Sequence, residues 1–218
     1  ARQAVEHDDL LASVGVARDG RRGAHVLLTR VIDFYTARAF LWHPAHPCRH
    51  IPLPDDAVQT CLFQGQLVFG VRTPWTAPDG TECAPDGLYS VDFDAWVASD
   101  TLGPVETLLA PRPRVSVAGL ARTEGRLFIQ LLDNVRGRVI AADRSAVAGW
   151  QTTPLALPDN GNIVLSHVDP HGTSVSFTFT DFLTPLSLVW SDDEGRTLAT
   201  IKAQPARFDT SGLLAEQH

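Results

Sequence analysis

The segment Ser174-Val175-Ser176-Phe177-Thr178-Phe179-Thr180 decides the fold class of this chain. Val175, Phe177 and Phe179 alternate with small hydroxyl residues, and a period of two places the three apolar side chains on one face of a β-strand. In an α-helix the same side chains would be spread around the circumference. We therefore predict a strand here, and similar short alternating or apolar runs recur along the chain.

Four apolar segments that end in proline indicate a structural repeat. Their last residues are Pro54, Pro111, Pro158 and Pro205, so the intervals are 57, 47 and 47 residues. The first interval is longer because the stretch from Thr73 to Gly87 contains two copies of Ala-Pro-Asp-Gly, which predict a turn-rich insertion. Without that insertion the period is close to 47 residues throughout.

Each repeat unit predicts four antiparallel strands in meander order, which is typical of a propeller blade. The predicted fold class is all-β, a β-propeller fragment of four four-stranded antiparallel blades. The expected blades run from about 9 to 54, 57 to 111, 114 to 158 and 162 to 205. One segment differs from the strands, because residues 92–99 (DFDAWVAS) predict a short helical turn.

An aspartate opens the turn between the second and third strands in three of the four units. These turns begin at Asp33, Asp133 and Asp181. An aspartate carboxylate at the start of a tight turn accepts hydrogen bonds from the backbone N–H groups that follow it, and it therefore favours chain reversal. For residues 133–136 we weigh a structural turn against a functional contact and favour the structural interpretation.

Composition excludes several functional classes. The net charge of −7 and the scattered distribution of 18 basic residues argue against a nucleic-acid partner. No apolar run approaches the length of a membrane span, and the first residues lack the order of a signal peptide. Three cysteines without a C-x-x-C spacing predict neither a disulfide framework nor a zinc site, and they favour a cytoplasmic location. We expect no cofactor.

Three polar segments could carry chemistry, and for each we favour a structural role. The segment 43–50 holds three histidines and Cys48, but a complete set of metal ligands is not evident, so we predict no metal site. The segment 166–174 has the residue types of a catalytic triad, but in adjacent positions that favour a polar hairpin turn. We interpret the run Asp192-Asp193-Glu194 as a solvated loop.

Three segments resemble the later propeller blades of bacterial members of the prolyl oligopeptidase family. They are Leu131-Leu132-Asp133-Asn134-Val135-Arg136, Thr180-Asp181-Phe182-Leu183-Thr184-Pro185, and residues 205–217 (PARFDTSGLLAEQ). This resemblance implies that a seven-bladed propeller is joined to an α/β-hydrolase domain with a Ser-Asp-His triad, and that the propeller admits only short peptides, which the family cleaves after proline. Residues 206–218 would form the exit toward the hydrolase domain.

The chain has no G-x-S-x-G nucleophile motif, so we expect no catalytic residue in it. The resemblance implies two partners, a hydrolase domain of the same full-length chain and short peptide substrates. Strand order places the turns between second and third strands toward that hydrolase domain, and the candidate substrate- or domain-facing residues are therefore Asp33, Asp133, Asn134, Arg136, Asp181 and Phe182. A free-standing propeller that binds a ligand or scaffolds partners is the competing interpretation. We also expect self-association through blade faces that truncation leaves uncovered.

Overall fold

The computed structural model describes residues 6, 8–19, 23–158 and 161–214, and within them the chain is almost entirely β. It divides into two compact units, Ala1–Pro111 and Arg112–His218. The strands of the first unit are β1 (Leu11–Arg18), β2 (Ala24–Val31), β3 (Ala37–His43), β4 (His46–His50), β5 (Ala57–Phe63), β6 (Gln66–Val71), β7 (Trp75–Thr76), β8 (Glu82–Cys83), β9 (Leu88–Asp92) and β10 (Glu106–Leu109). Those of the second are β11 (Val115–Arg122), β12 (Leu127–Asp133), β13 (Arg136–Ser145), β14 (Gly149–Pro154), β15 (Asn162–Val168), β16 (Val175–Thr180), β17 (Ser187–Ser191) and β18 (Ala199–Ala203).

Apart from β7 and β8, the strands form four four-stranded antiparallel sheets. Sheet 1 has the order β1-β2-β3-β4 and sheet 2 the order β10-β9-β6-β5; sheet 3 runs β11-β12-β13-β14 and sheet 4 runs β15-β16-β17-β18. Sequential pairing of this kind is the predicted meander, and the all-β class is confirmed. In a meander the turn between the second and third strands lies at the end where the chain leaves the fourth strand. We call this the exit end of each sheet.

Each unit has a core between its two sheets. In the first unit Leu41 of β3 and Ile51 share one cluster with Phe69, Val91 and Trp96. In the second unit Phe128, Val139 and Ala141 of sheet 3 pack with residues of sheet 4, and the rings of Phe128 and Phe177 lie 6.2 Å apart at 69°.

The alternating segment at residues 174–180 contains the buried strand β16, as predicted. Val175, Phe177 and Phe179 are 0%, 0% and 2% exposed. Burial of side chains of this size contributes about 1.5–3 kcal/mol each to folding.

The predicted helical turn is confirmed as α1 (Phe93–Ser99). The Asp92 side chain caps its first turn by accepting a hydrogen bond from the Ala95 N–H at 2.8 Å, and Asp100 ends it in the left-handed conformation. The Arg49 guanidinium lies 4.8 Å from the centre of the Trp96 ring and also donates to the Val97 carbonyl at 2.9 Å. These contacts fix α1 against sheet 1.

The predicted insertion forms a short ribbon of β7 and β8 between the second and third strands of sheet 2. The Asp79 carboxylate joins this ribbon to the segment before β10 by accepting hydrogen bonds from the N–H groups of Thr81 and Val105, at 2.9 and 2.7 Å. Cys83 is 1% exposed within the core of the unit. The insertion is therefore a folded part of the first unit.

All four predicted proline-terminated strands end before that proline, β10 and β18 by two residues and β4 and β14 by four. β4 ends at His50 and β14 at Pro154, so that residues 51–54 and 155–158 lie beyond them. In both segments an N–H donates to the carbonyl two residues back, from Leu53 to Ile51 and from Leu157 to Leu155, each at 2.8 Å. This tight turn before the proline removes the chain from the strand ladder.

The interpretation of residues 192–194 as a solvated loop holds for Asp192, which is exposed, and is wrong for Glu194. Glu194 is 7% exposed and its carboxylate accepts a hydrogen bond from Nη1 of Arg196 at 2.8 Å. It lies against Gly125 of sheet 3, where a Cβ atom would be 2.3 Å from its Oε1. The burial of Glu194 depends on Gly125, which is distant in sequence, so the acidic run alone does not indicate it.

Candidate functional site

The predicted site residues lie at the exit ends of sheets 1, 3 and 4. Asp33 stands in the turn between β2 and β3, Asp133 at the end of β12, and Asp181 directly after β16. Sheets 1 and 4 share the sequence pattern Asp-Phe-x-Thr in this turn, whereas sheet 3 has Asp-Asn-Val-Arg. The structure follows this division.

The Asp33 turn is closed by its own carboxylate. Oδ1 of Asp33 accepts hydrogen bonds from the N–H groups of Tyr35 and Thr36, at 2.7 and 2.9 Å. These bonds, led by that from the Tyr35 backbone, hold the pKa of Asp33 below its ordinary value. The charged Asp33 carboxylate therefore fixes the backbone of the turn. The turn presents Phe34 and Tyr35, which are 85% and 64% exposed.

The Asp181 turn repeats this arrangement in the second unit. Oδ1 of Asp181 accepts hydrogen bonds from the N–H of Leu183 at 2.8 Å and from the N–H of Thr184. Phe182, in the position that matches Phe34, is 73% exposed. Both turns therefore hold an aromatic side chain outward on a rigid backbone.

The Asp133 turn is built differently, and the prediction that Asp133 caps it is wrong. Asn134 and Val135 both have positive φ, 48° and 66°, which is a two-residue hairpin turn that needs no side-chain cap. The Asp133 carboxylate instead pairs with Nε of Arg138 at 2.9 Å. Asn134 is exposed, and Arg136 is half-buried at the start of β13. A functional contact of these residues stays a prediction.

A cleft opens beside the Asp33 turn at the exit end of the first unit. Its volume is about 690 Å³, and its lining residues are Tyr35, Thr36, Pro54, Asp55, Asp56, Arg72 and Thr73. The Arg72 guanidinium lies 5.7 Å from the centre of the Tyr35 ring. Arg72 was missed by sequence reasoning because it follows β6 in the neighbouring sheet and belongs to no motif. We call this site the Tyr35 cleft.

A smaller cavity lies beside the Asp181 turn at the exit end of sheet 4. It measures about 230 Å³ and is lined by residues 180–186 and by Gln204, Pro205, Ala206, Arg207, Phe208 and Thr210. The N–H of Gln204 donates to the Leu186 carbonyl at 3.0 Å, which joins the two segments. The predicted exit segment 206–218 thus begins at this cavity, and its last four residues lie outside the described part of the chain.

The histidine-rich segment forms the β3–β4 hairpin. The rings of His43 and His46 lie 4.7 Å apart, and Nδ1 of His43 accepts a hydrogen bond from the Ala45 N–H at 3.2 Å. That bond occupies the Nδ1 lone pair of His43 and closes the hairpin turn. Within the described ranges, groups of three or more possible metal ligands do not occur.

The segment 166–174 forms the predicted polar turn. The Asp169 carboxylate accepts a hydrogen bond from the His171 N–H at 2.9 Å, and the Asp169 N–H donates to the Ser174 carbonyl at 3.0 Å. Asp169 therefore stabilises the backbone of the β15–β16 hairpin.

Among the described residues no helix is long and apolar enough to cross a membrane.

Known proteins resemble this chain in sequence and in fold. The chain is 32% identical over 215 residues to an uncharacterized peptidase of Sinorhizobium fredii, an alignment that covers 96% of this chain and 29% of that peptidase. A post-proline cleaving enzyme from Rickettsia typhi has the same fold, with a TM-score of 0.79 at 16% identity, over 94% of this chain and 30% of the enzyme. This chain has the fold of the propeller-like part of prolyl oligopeptidases.

Further structures agree with this prolyl oligopeptidase fold. Prolyl oligopeptidase B from Galerina marginata gives a TM-score of 0.63 at 12% identity over 94% of this chain and 28% of its own. Oligopeptidase B from Trypanosoma brucei gives 0.64 at 13% identity over 93% and 29%. No family model matches the chain. The chain spans less than a third of the length of each of these proteins, and the part matched is the propeller-like part.

Proposed function

We propose that this chain is the gating and docking part of a serine peptidase that cleaves short peptides after proline. The observation that carries the proposal is the alignment of 96% of the chain with 29% of a peptidase, combined with the fold of a post-proline cleaving enzyme. The triad would lie in an α/β-hydrolase domain outside these 218 residues. The chain alone is then inactive.

The exit ends supply the contacts that such a role needs. Phe182 and Phe208 are 73% and 57% exposed and both line the cavity at the exit end of sheet 4. Exposed aromatic side chains beside a cavity favour a contact surface over a purely solvated one. We assign Phe182 to the hydrolase contact and Asp181 to the shape of the turn that presents it.

The other candidate residues fit the same division of roles. Asp33 holds the turn that carries Phe34 and Tyr35. Asp133 is engaged by Arg138, so Asn134 and Arg136 are the side chains of that turn assigned to substrate or hydrolase contact. A propeller that acts in this way excludes large substrates by the fixed position of its turns.

The test uses protein made from the complete coding sequence. We expect it to hydrolyse short proline-containing chromogenic peptides, and the isolated 218-residue chain to be inactive under the same conditions. Phe182→Ser should lower kcat/KM about tenfold through a weakened domain contact, which corresponds to about 1.4 kcal/mol. The control Val147→Ser changes a side chain that is 99% exposed in the β13–β14 turn and should have no effect.

Two results would overturn the proposal. One is a full-length protein that folds but hydrolyses no proline-containing peptide. The other is a reading frame that ends at His218, which favours the free-standing binding or scaffold propeller.

A further inference from the structure

We propose that the Tyr35 cleft binds an extended, proline-containing peptide segment that is neutral or basic. In this site the Tyr35 ring packs against a prolyl ring, and the Arg72 guanidinium donates hydrogen bonds to carbonyl groups of the peptide. The contact lies in the propeller-like chain itself and is separate from any peptide-bond cleavage.

The shape of the site favours an extended chain. The cleft is open, about 690 Å³ in volume, and it runs between the Asp33 turn, the link at residues 54–56 and the end of β6. Pro54 adds an apolar surface to its wall. Proline-rich segments bind in aromatic-lined grooves because the polyproline II conformation is already ordered, so that little conformational entropy is lost.

The aromatic surface is fixed before a ligand arrives. The rings of Phe34 and Tyr35 lie 5.0 Å apart at 78°, edge to face. The two hydrogen bonds to the Asp33 carboxylate hold the backbone that carries them. Two large aromatic side chains held outward on a rigid turn provide a preorganised contact surface.

Arg72 is the hydrogen-bond donor that the cleft offers. It is exposed, its guanidinium lies over the Tyr35 ring, and none of the carboxylates in the described residues is paired with it. A polyproline II segment has no internal hydrogen bonds, so its carbonyl groups are available to such a donor. Its cation–π contact with the Tyr35 ring holds the guanidinium beside the cleft before a peptide binds.

The carboxylates of the cleft already have partners. Asp55 accepts from Nε and Nη2 of Arg38, at 2.9 and 2.7 Å. Asp56 accepts from the N–H and hydroxyl of Thr73, at 2.8 and 2.6 Å. Together with Asp33 these carboxylates outnumber the two arginines, so the site disfavours an acidic peptide and accepts a neutral or basic one.

The choice of proline as the recognised residue rests on the proposed function, whereas binding itself does not need a hydrolase domain. In a proline-specific peptidase this cleft would hold a proline-containing part of the substrate away from the cleaved bond. Substrates with a second proline-rich segment would then have a lower KM than those without it.

The experiment measures binding by fluorescence anisotropy on the protein from the complete coding sequence, treated with phenylmethylsulfonyl fluoride to prevent cleavage. The probes are a labelled decapeptide with four prolines and two arginines, the same peptide with its prolines replaced by alanine, and the proline peptide with aspartate in place of arginine. We expect the first to bind at least fivefold tighter than either of the others.

Four variants locate the site. Tyr35→Ala should remove the preference for proline, and Arg72→Gln should weaken the proline peptide about tenfold. Val147→Ser and Lys202→Gln are the controls, since each alters an exposed side chain of the second unit, and both should bind as the unaltered protein does. Circular dichroism spectra confirm that the variants are folded.

Equal binding of the proline and alanine peptides overturns the inference, as does an unchanged preference in Tyr35→Ala. A Tyr35→Ala protein that binds normally but is cleaved faster by trypsin between propeller and hydrolase would assign the surface to domain contact instead. The proposed function is tested separately: binding with the proline preference but no hydrolysis by the uninhibited protein refutes the peptidase and retains the site.

Discussion

Arg126 joins the two sheets of the second unit by donating from Nη1 to the Glu194 carbonyl at 3.2 Å, across 68 positions of sequence. The same guanidinium pairs with Asp143 of its own sheet, with Nη2 to Oδ2 at 2.7 Å. The Arg126 side chain is 10% exposed, whereas that of Asp143 is 42% exposed. The nearly buried Arg126 guanidinium therefore links the start of β12 to β13 and to the turn between β17 and β18.

Arg126→Ala should destabilise the chain. It removes charge-assisted hydrogen bonds from both sides of a mostly buried site, and the expected loss is about 3 kcal/mol in the free energy of unfolding by urea. Arg112→Ala is the matched control, because Arg112 is exposed and should change stability by less than about 0.5 kcal/mol. Equal stability of the two variants would mean that the linkage contributes nothing.

Gly137→Ala should be costly because the second unit has no room for a side chain there. A Cβ atom at Gly137 would lie 2.6 Å from the Ile163 nitrogen, and the Gly137 N–H donates to the Gly161 carbonyl at 2.9 Å. We expect a loss of about 1–3 kcal/mol in the free energy of unfolding, as for other overpacked sites. Gly119→Ala, with open space around its position, should be close to neutral.

The stability of the second unit should fall in acid through Asp193. Hydrogen bonds from Thr197, and from the Ser191 hydroxyl, lower the pKa of Asp193 well below its ordinary value of 3.8. The unfolded chain then takes up a proton near pH 3.8 while the folded chain does not, so this contribution is present above that pH and is lost progressively below it.

Thermal melts between pH 5 and pH 2 test this assignment. Asp193→Asn should lower the Tm at pH 5 and flatten its decline below pH 4. Asp192→Asn, a change at the exposed neighbouring carboxylate, should leave the slope as it is. An Asp193→Asn protein with the original slope would place the acid sensitivity elsewhere.

Local pattern predicted the elements of this fold but not the contacts between them. The alternation at Val175, Phe177 and Phe179 fixes a strand and its buried face, because period and burial are both set within seven residues. The helix at Phe93 is also a local matter, since Asp92 supplies its cap. Both elements were predicted from the sequence.

The contacts between sheets could not be predicted from the sequence. Glu194 belongs to an acidic run that indicates a solvated loop, and only the distant Gly125 makes room for its side chain. Arg72 reaches Tyr35 from another sheet, so no spacing links the two residues. The aspartate turns were predicted correctly at positions 33 and 181, where the next residue is phenylalanine, and wrongly at 133, where Asn134 adopts positive φ without a cap.

Cys83 should be the least reactive of the three thiols. It is 1% exposed, and burial, with a smaller contribution from the nearby Asp79 and Glu82 charges, raises its pKa to about 11. Cys48 and Cys61 are half-buried. In the folded chain at pH 8, Ellman's reagent should modify at most two thiols rapidly, and peptide mass mapping should find Cys83 unmodified. Rapid modification of Cys83 would show that the ribbon of β7 and β8 opens readily.

The isolated chain should self-associate through the outer face of sheet 1. Ala17 of β1 packs on the core of the first unit, so the alternation of the strand turns Val14 and Val16 to the opposite face, where they are 69% and 56% exposed. Their partners across the ladder, Leu28 and Val26, extend this apolar surface.

Apolar surface of this kind favours association, and we expect the molar mass from light scattering to rise with concentration toward a dimer. Val16→Lys should shift the chain toward the monomer by placing a charge in the contact, since desolvating an unpaired ammonium is costly. Val147→Lys places the same charge on the exposed β13–β14 turn and should leave association unchanged. A chain that stays monomeric at millimolar concentration would refute the contact, and equal dimerisation of the two lysine variants would place it on a different face.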